Sequence, residues 1–148
     1  MKKAILVPRC ILTRGLDWKS NGSYHELAEI MKVIIDSKSG IIQLPCPHLE
    51  SMIQNEEDSC AHSIHANTFA ESNLNNSYVQ LYTRMISPVI KEIEACEKQG
   101  VRITGLIGVK GSPCCSTKTS KDDIDRQFMK LLLRKMEERL IHIETANI

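Results

Sequence analysis

The sequence predicts a single α/β domain in three layers, a doubly wound, Rossmann-like parallel sheet with helices on both faces. Three observations carry that expectation. Short apolar runs closed by proline or glycine have the length of buried strands. The segments between them repeat apolar residues at helical spacing and are long enough to cross from one parallel strand to the next. The chain has 148 residues, enough for one core and too few for two ordinary domains.

Ala4-Ile5-Leu6-Val7 is wholly apolar and stops at Pro8, which reads as a first buried strand. Ser23, with Glu26 three residues on, opens an amphipathic helix through Leu27, Ile30, Met31, Ile34 and Ile35 that stops near Gly40. Ile41-Ile42-Gln43-Leu44, closed by Pro45, is the second strand. Residues 49–76 turn polar, rich in Ser, Asn, Glu and His, and read as a loop, short helices or a lid. Val79, Tyr82, Ile86, Ile90, Ile93 and Cys96 share a helical face ending at Gly100. Pro88 should kink that helix or split it, with Ser87 as a fresh cap. Val101 to Val109 is a third strand, whose Gly105 and Gly108 suggest a bulge or close backbone approach. A last helix from about Asp122 carries Ile124, Phe128, Leu131, Leu132 and Met136, and Leu140 to Glu144 is a fourth strand.

Composition narrows the function. Apolar residues are 42% and charged residues 25%, with a formal charge of +1, so the chain is globular and lacks the basic excess that binding many phosphates requires. Nucleic acid is therefore not the expected partner; a small molecule is. No apolar run is long enough to span a membrane. Lys2 and Lys3 precede an apolar run that Pro8 and Arg9 cut short, unlike a secretory signal, so the expected location is cytoplasmic. Six cysteines in that compartment do not read as a disulfide framework and are weighed as metal ligands, nucleophiles or buried filler.

In open parallel sheets, ligands bind outside the carboxyl ends of the strands, near the point where the winding reverses. Cys10 follows the first strand, Cys46 the second, and Cys114-Cys115 the third, so three different loops present thiols at one edge. They are far apart in sequence, which rules out a local zinc knuckle and leaves the sheet to assemble them. Converging thiolates suit zinc or an iron–sulfur cluster, and a cubane held by three cysteines leaves one iron open as a Lewis acid. The competing reading is buried small residues, or a thiol pair prone to oxidation.

Cys10-Ile11-Leu12, Leu44-Pro45-Cys46-Pro47 and Ile107-Gly108-Val109-Lys110-Gly111-Ser112-Pro113-Cys114-Cys115 resemble the corresponding loops of the 2-thiouracil desulfidase family, of which this chain looks like a shorter relative. The resemblance covers most of the chain in order and spacing. It implies a [4Fe-4S] cluster on Cys10, Cys46 and Cys115, with an extra sulfide, [4Fe-5S], as a further form. The open iron would take sulfur from a thiocarbonyl substrate, and water would leave the oxo product. The family's Ser-Pro-Ser-Cys-Gly loop aligns with Ser112-Pro113-Cys114-Cys115-Ser116, so Cys114 stands where the family has serine. His48 stands where the family has the glutamate of Cys-Pro-Glu. His48, Ser112 and Cys114 are thus the catalytic candidates: His48 as acid or base near neutral pH, Cys114 as a ligand or sulfur acceptor. Glu50 is the alternative to the missing carboxylate, but it reads first as a solvated charge.

Other signals are discounted. Cys60, His62 and His65 form a metal half-site on paper, but they fall in the polar segment and read as exposed or as part of a lid. Cys96 continues an apolar stripe and reads as core. His25 and His142 have no obvious partners. Cys10 with Arg14 has the wrong spacing for a phosphatase loop. Two rivals to a desulfidase stand: a non-catalytic iron–sulfur or zinc-binding module that delivers sulfide or cluster to a partner, and a closed zinc site of Cys10, Cys46, Cys114 and Cys115.

Overall fold

The computed structural model describes residues 1–13, 24–53, 71–110, 115, 117 and 127–148. Their order is β1 (Lys2–Pro8), α1 (Arg9–Leu12), α2 (Tyr24–Asp36), β2 (Ser39–Leu44), α3 (Pro47–Ile53), α4 (Glu71–Lys98), β3 (Val101–Gly108), α5 (Gln127–Glu137) and β4 (Glu144–Asn147). The four strands form one sheet in the order β2-β1-β3-β4, and every pair is parallel. The chain steps from β1 to β2 in one direction and from β2 to β3 and β4 in the other. Right-handed crossovers then put α2 on one face and α4 with α5 on the opposite one. Accordingly α2 packs on β2, while α4 packs on β3 and α5.

The core lies between the sheet and its helices. Leu6, Val7, Ile42, Leu44, Ile103 and Leu106 supply it from the strands, and α5 contributes Phe128, Leu131, Leu132 and Met136 as its spacing predicts. Tyr82 on α4 meets Phe128 edge-on, with ring centroids 5.6 Å apart and an interplanar angle of 80°. Among the described residues no helix is long and apolar enough to cross a membrane.

Several elements differ from the sequence expectation. Helix α4 is not split at Pro88 but runs through it. Leu81, Tyr82, Met85 and Ile86 before the proline and Val89, Ile90 and Ile93 after it are all buried. Burial on both sides holds the helix on the sheet, while Ser87 and Pro88 are exposed. Val79 and Ile35, expected on buried faces, are exposed. Within 49–76, α3 reaches Ile53 and α4 already begins at Glu71, so both ends of that segment are helical. The stretch 54–70, with Cys60, His62 and His65, lies outside the described residues, as do Ser23, Asp122 and Ile124.

Helix ends account for two more differences. Helix α2 ends at Asp36, and Lys38 with φ 56° makes the reversal assigned by sequence to Gly40. Gly40 instead lies in β2, opposite Ala4. After α5, the Leu140 and Ile141 N–H groups donate to the Glu137 and Met136 carbonyls at 2.9 and 3.0 Å, a Schellman closure with Leu140 at φ 59°. The fourth strand therefore begins at Glu144, not at Leu140. The bulge expected near Gly105 is present: pairing of β1 with β3 skips Thr104 between Ile103 and Gly105, and the Thr104 hydroxyl donates to the Ala4 carbonyl at 3.3 Å.

Candidate functional site: three thiols at one sheet edge

β1 lies between β2 and β3, so the winding reverses there and the crevice opens beyond the carboxyl ends of these strands. Cys10 does not sit on a loop, as its position after a strand suggests, but in the single turn α1. Pro8 ends β1 at φ −59°, ψ 142°, and the chain bends straight into that turn. The Thr13 N–H and hydroxyl both donate to the Arg9 carbonyl at 3.0 Å and close it. Cys10 is thereby drawn into the core at 6% exposure.

Cys46 occupies the equivalent place after β2. Its carbonyl accepts the Glu50 N–H at 3.0 Å, the first bond of α3, and Pro47 takes the first helical position, where a missing N–H costs nothing. Cys46 is also 6% exposed. His48, in the first turn of α3, is half-buried, as is Glu50. Glu50 is therefore not the solvated charge expected of it; it lines a cavity with Arg9 and Pro45.

Cys115, 2% exposed, is positioned from much farther away. The Val109 N–H donates to its carbonyl at 2.8 Å. Two residues on, the Thr117 N–H and hydroxyl donate to Asn147 Oδ1 at 2.9 and 2.8 Å. Asn147 ends β4, and the Ile148 and Lys110 N–H groups extend the β3–β4 ladder by donating to Gly108 and Ile148 carbonyls at 2.9 Å. Gly108 makes the junction possible. A β-carbon there would collide with Asn147 Oδ1 and stand 2.8 Å from Thr117 Cγ2 and 2.9 Å from the Thr117 nitrogen. Sequence reasoning missed Asn147 and Thr117 entirely; the glycine closing the third strand was their only trace.

Cys10, Cys46 and Cys115 are thus three buried thiols, none in a disulfide, each beyond a different parallel strand. Cys96 packs half-buried against the core, as its stripe predicts. His25, expected to lack a partner, pairs with Glu29 at 3.3 Å on the exposed side of α2; His142 is exposed. Ser112, Cys114, Ser116 and Arg14 lie outside the described residues. Among the described residues no group of three His, Cys, Asp or Glu side chains could hold a metal ion. The three thiols therefore do not form the tight shell of a single ion. A cubane is the less demanding guest, because it spreads its ligands over several irons. The donor set suits it in kind: soft, buried and undiverted into disulfides.

No protein-family model matches the chain, and no solved structure matches it. Among curated proteins, it is similar to the uncharacterized protein MJ0003 of Methanocaldococcus jannaschii, with 25% identity over 119 residues, 80% of this chain and 67% of that protein. That similarity brings no activity with it.

Proposed function

We propose that the chain is an iron–sulfur desulfidase or sulfur transferase for a small thiocarbonyl compound, with Cys10, Cys46 and Cys115 holding a [4Fe-4S] cluster. The observation that supports it is the presence of these three buried thiols at the carboxyl ends of β1, β2 and β3. When bound, such a cluster supplies a Lewis acid at the iron the protein does not ligate. The three cysteines bind, and the apolar side chains around Cys10 and Cys115 keep bulk water from the thiolates. His48, on the first turn beyond Cys46, takes a proton at a ring nitrogen from the attacking water and returns it to the departing group. Ser112 and Cys114 are proposed to position substrate or receive sulfur. The near-zero net charge supports a small-molecule substrate over nucleic acid.

The test is anaerobic reconstitution with iron and acid-labile sulfide counted per chain, followed by turnover on thiouracil and other thiocarbonyls. About four irons are expected, lost in Cys46→Ala and in Cys115→Ser. Stoichiometric zinc, or iron unchanged in both variants, overturns the assignment. A full cluster with no turnover on the panel replaces the enzyme by a module that delivers sulfide or cluster to a partner.

A further inference from the structure

Strand β4 buries no apolar side chain. Glu144, Thr145 and Ala146 are exposed, and Asn147 is the one residue of the four withdrawn from solvent. The ladder that pairs β4 with β3 is made by backbone groups and needs no particular side chain at position 147. What the asparagine adds is an acceptor. Its Oδ1 takes both the Thr117 N–H at 2.9 Å and the Thr117 hydroxyl at 2.8 Å, one for each lone pair.

Two donors from one residue on one oxygen fix the backbone and the side chain of Thr117 together. The oxygen is itself well held. Asn147 pairs with Gly108, and the bonds from Ile148 to Gly108 and from Lys110 to Ile148 carry the ladder past it. Cys115 therefore stands in a bracket. On one side its own carbonyl is pinned by the Val109 N–H at 2.8 Å; on the other, Thr117 is pinned two residues on. Sulfurs that share one cluster must be presented to within about half an ångström. Cys10 and Cys46 have that support from turns of their own segments, whereas Cys115, seven residues beyond β3, has it from the bracket.

We infer that Asn147 is a positioning residue: through Thr117 it places the Cys115 sulfur, and with it the iron that Cys115 would hold. For the iron this rests on the cluster proposed above; for the thiol it stands on the hydrogen bonds alone.

Three variants of the full chain, reconstituted anaerobically, test it. Thr117→Val deletes the hydroxyl donor at nearly constant shape, Thr117→Ser keeps that donor, and Asn147→Ala removes the shared acceptor. Loss of an outer partner of a metal ligand typically costs 10–100-fold in metal affinity. The chelator concentration that strips half the iron should accordingly fall about tenfold or more in Asn147→Ala, fall less in Thr117→Val, and keep its wild-type value in Thr117→Ser. Circular dichroism verifies that each variant is folded, and the Thr117 pair decides the matter if Asn147→Ala is not. In iron-free protein, mass-mapped alkylation should speed up at Cys115 in Thr117→Val but not in Thr117→Ser, with Cys10 and Cys46 unmoved. A general loosening would instead raise all three rates.

Wild-type iron retention in folded Thr117→Val and Asn147→Ala, equal acceleration at the three thiols, or a Thr117→Ser protein as impaired as Thr117→Val overturns the inference. The desulfidase reading fails on a different result. If the wild-type chain takes up no iron, that reading falls, while selective alkylation of Cys115 still decides whether Asn147 places that sulfur.

Discussion

Cys10 and Cys46 each follow a strand by two residues and enter a helical turn at once, whereas Cys115 comes seven residues after β3 and is held from β4. The first two positions are set by short-range chemistry: a strand ended by Pro8 or Leu44-Pro45, then a turn whose first bonds involve the adjacent backbone. The third depends on Asn147, thirty residues away from Thr117. One site therefore has two local corners and one long-range corner, and disturbances at β4 should reach only the latter.

The largest effect should come from the thiols themselves. If the cluster needs all three, Cys10→Ala empties it as fully as Cys115→Ser, from about four irons per chain to near none; retention of iron in one variant alone would single out the corner that does not ligate. Next is the core that both regions share. Phe128→Ala removes a ring buried to 1% exposure and should cost about 3–5 kcal/mol, read by urea unfolding, with all three thiols becoming reactive together. Gly108→Ala forces apart the β3–β4 junction and should cost about 1–3 kcal/mol.

Asn147→Ala discriminates more finely. It deletes the acceptor of two hydrogen bonds and should cost about 1–2 kcal/mol, while mass-mapped alkylation speeds up at Cys115 and stays unchanged at Cys10 and Cys46. Uniform acceleration at all three would show that the corners are not independent. The smallest effect is expected outside the site: Leu140→Gly relieves a left-handed residue that is 81% exposed and should raise stability by about 0.5–1 kcal/mol in thermal melts, with no change in thiol reactivity.

Much of the fold was legible in the residues. The apolar runs around Leu6, Ile42 and Leu106 are too continuous for a one-sided sheet, and they are indeed parallel strands. The stripe of Phe128, Leu132 and Met136 is a buried helical face. Errors gathered where local preference met packing. Pro88 was expected to kink or split a helix that in fact runs through it unsplit, and Gly40 was expected to end a helix that Lys38 ends. Glu50 reads from the sequence as a solvated charge, but it is half-buried and lines a cavity together with residues of α4. The position of Cys10, Cys46 and Cys115 after their strands was also readable, since in a parallel sheet all carboxyl ends point the same way.

By itself, then, the sequence determined the alternation of strands and helices, the buried faces and the edge to which the thiols belong, because periodicity and strand polarity are local properties. The tertiary structure decided the order β2-β1-β3-β4, the closure of the Cys115 loop by Asn147 and the cavity that Arg9 and Glu50 both line. Those depend on which segments of chain meet across many residues, and no short-range pattern specifies the partner.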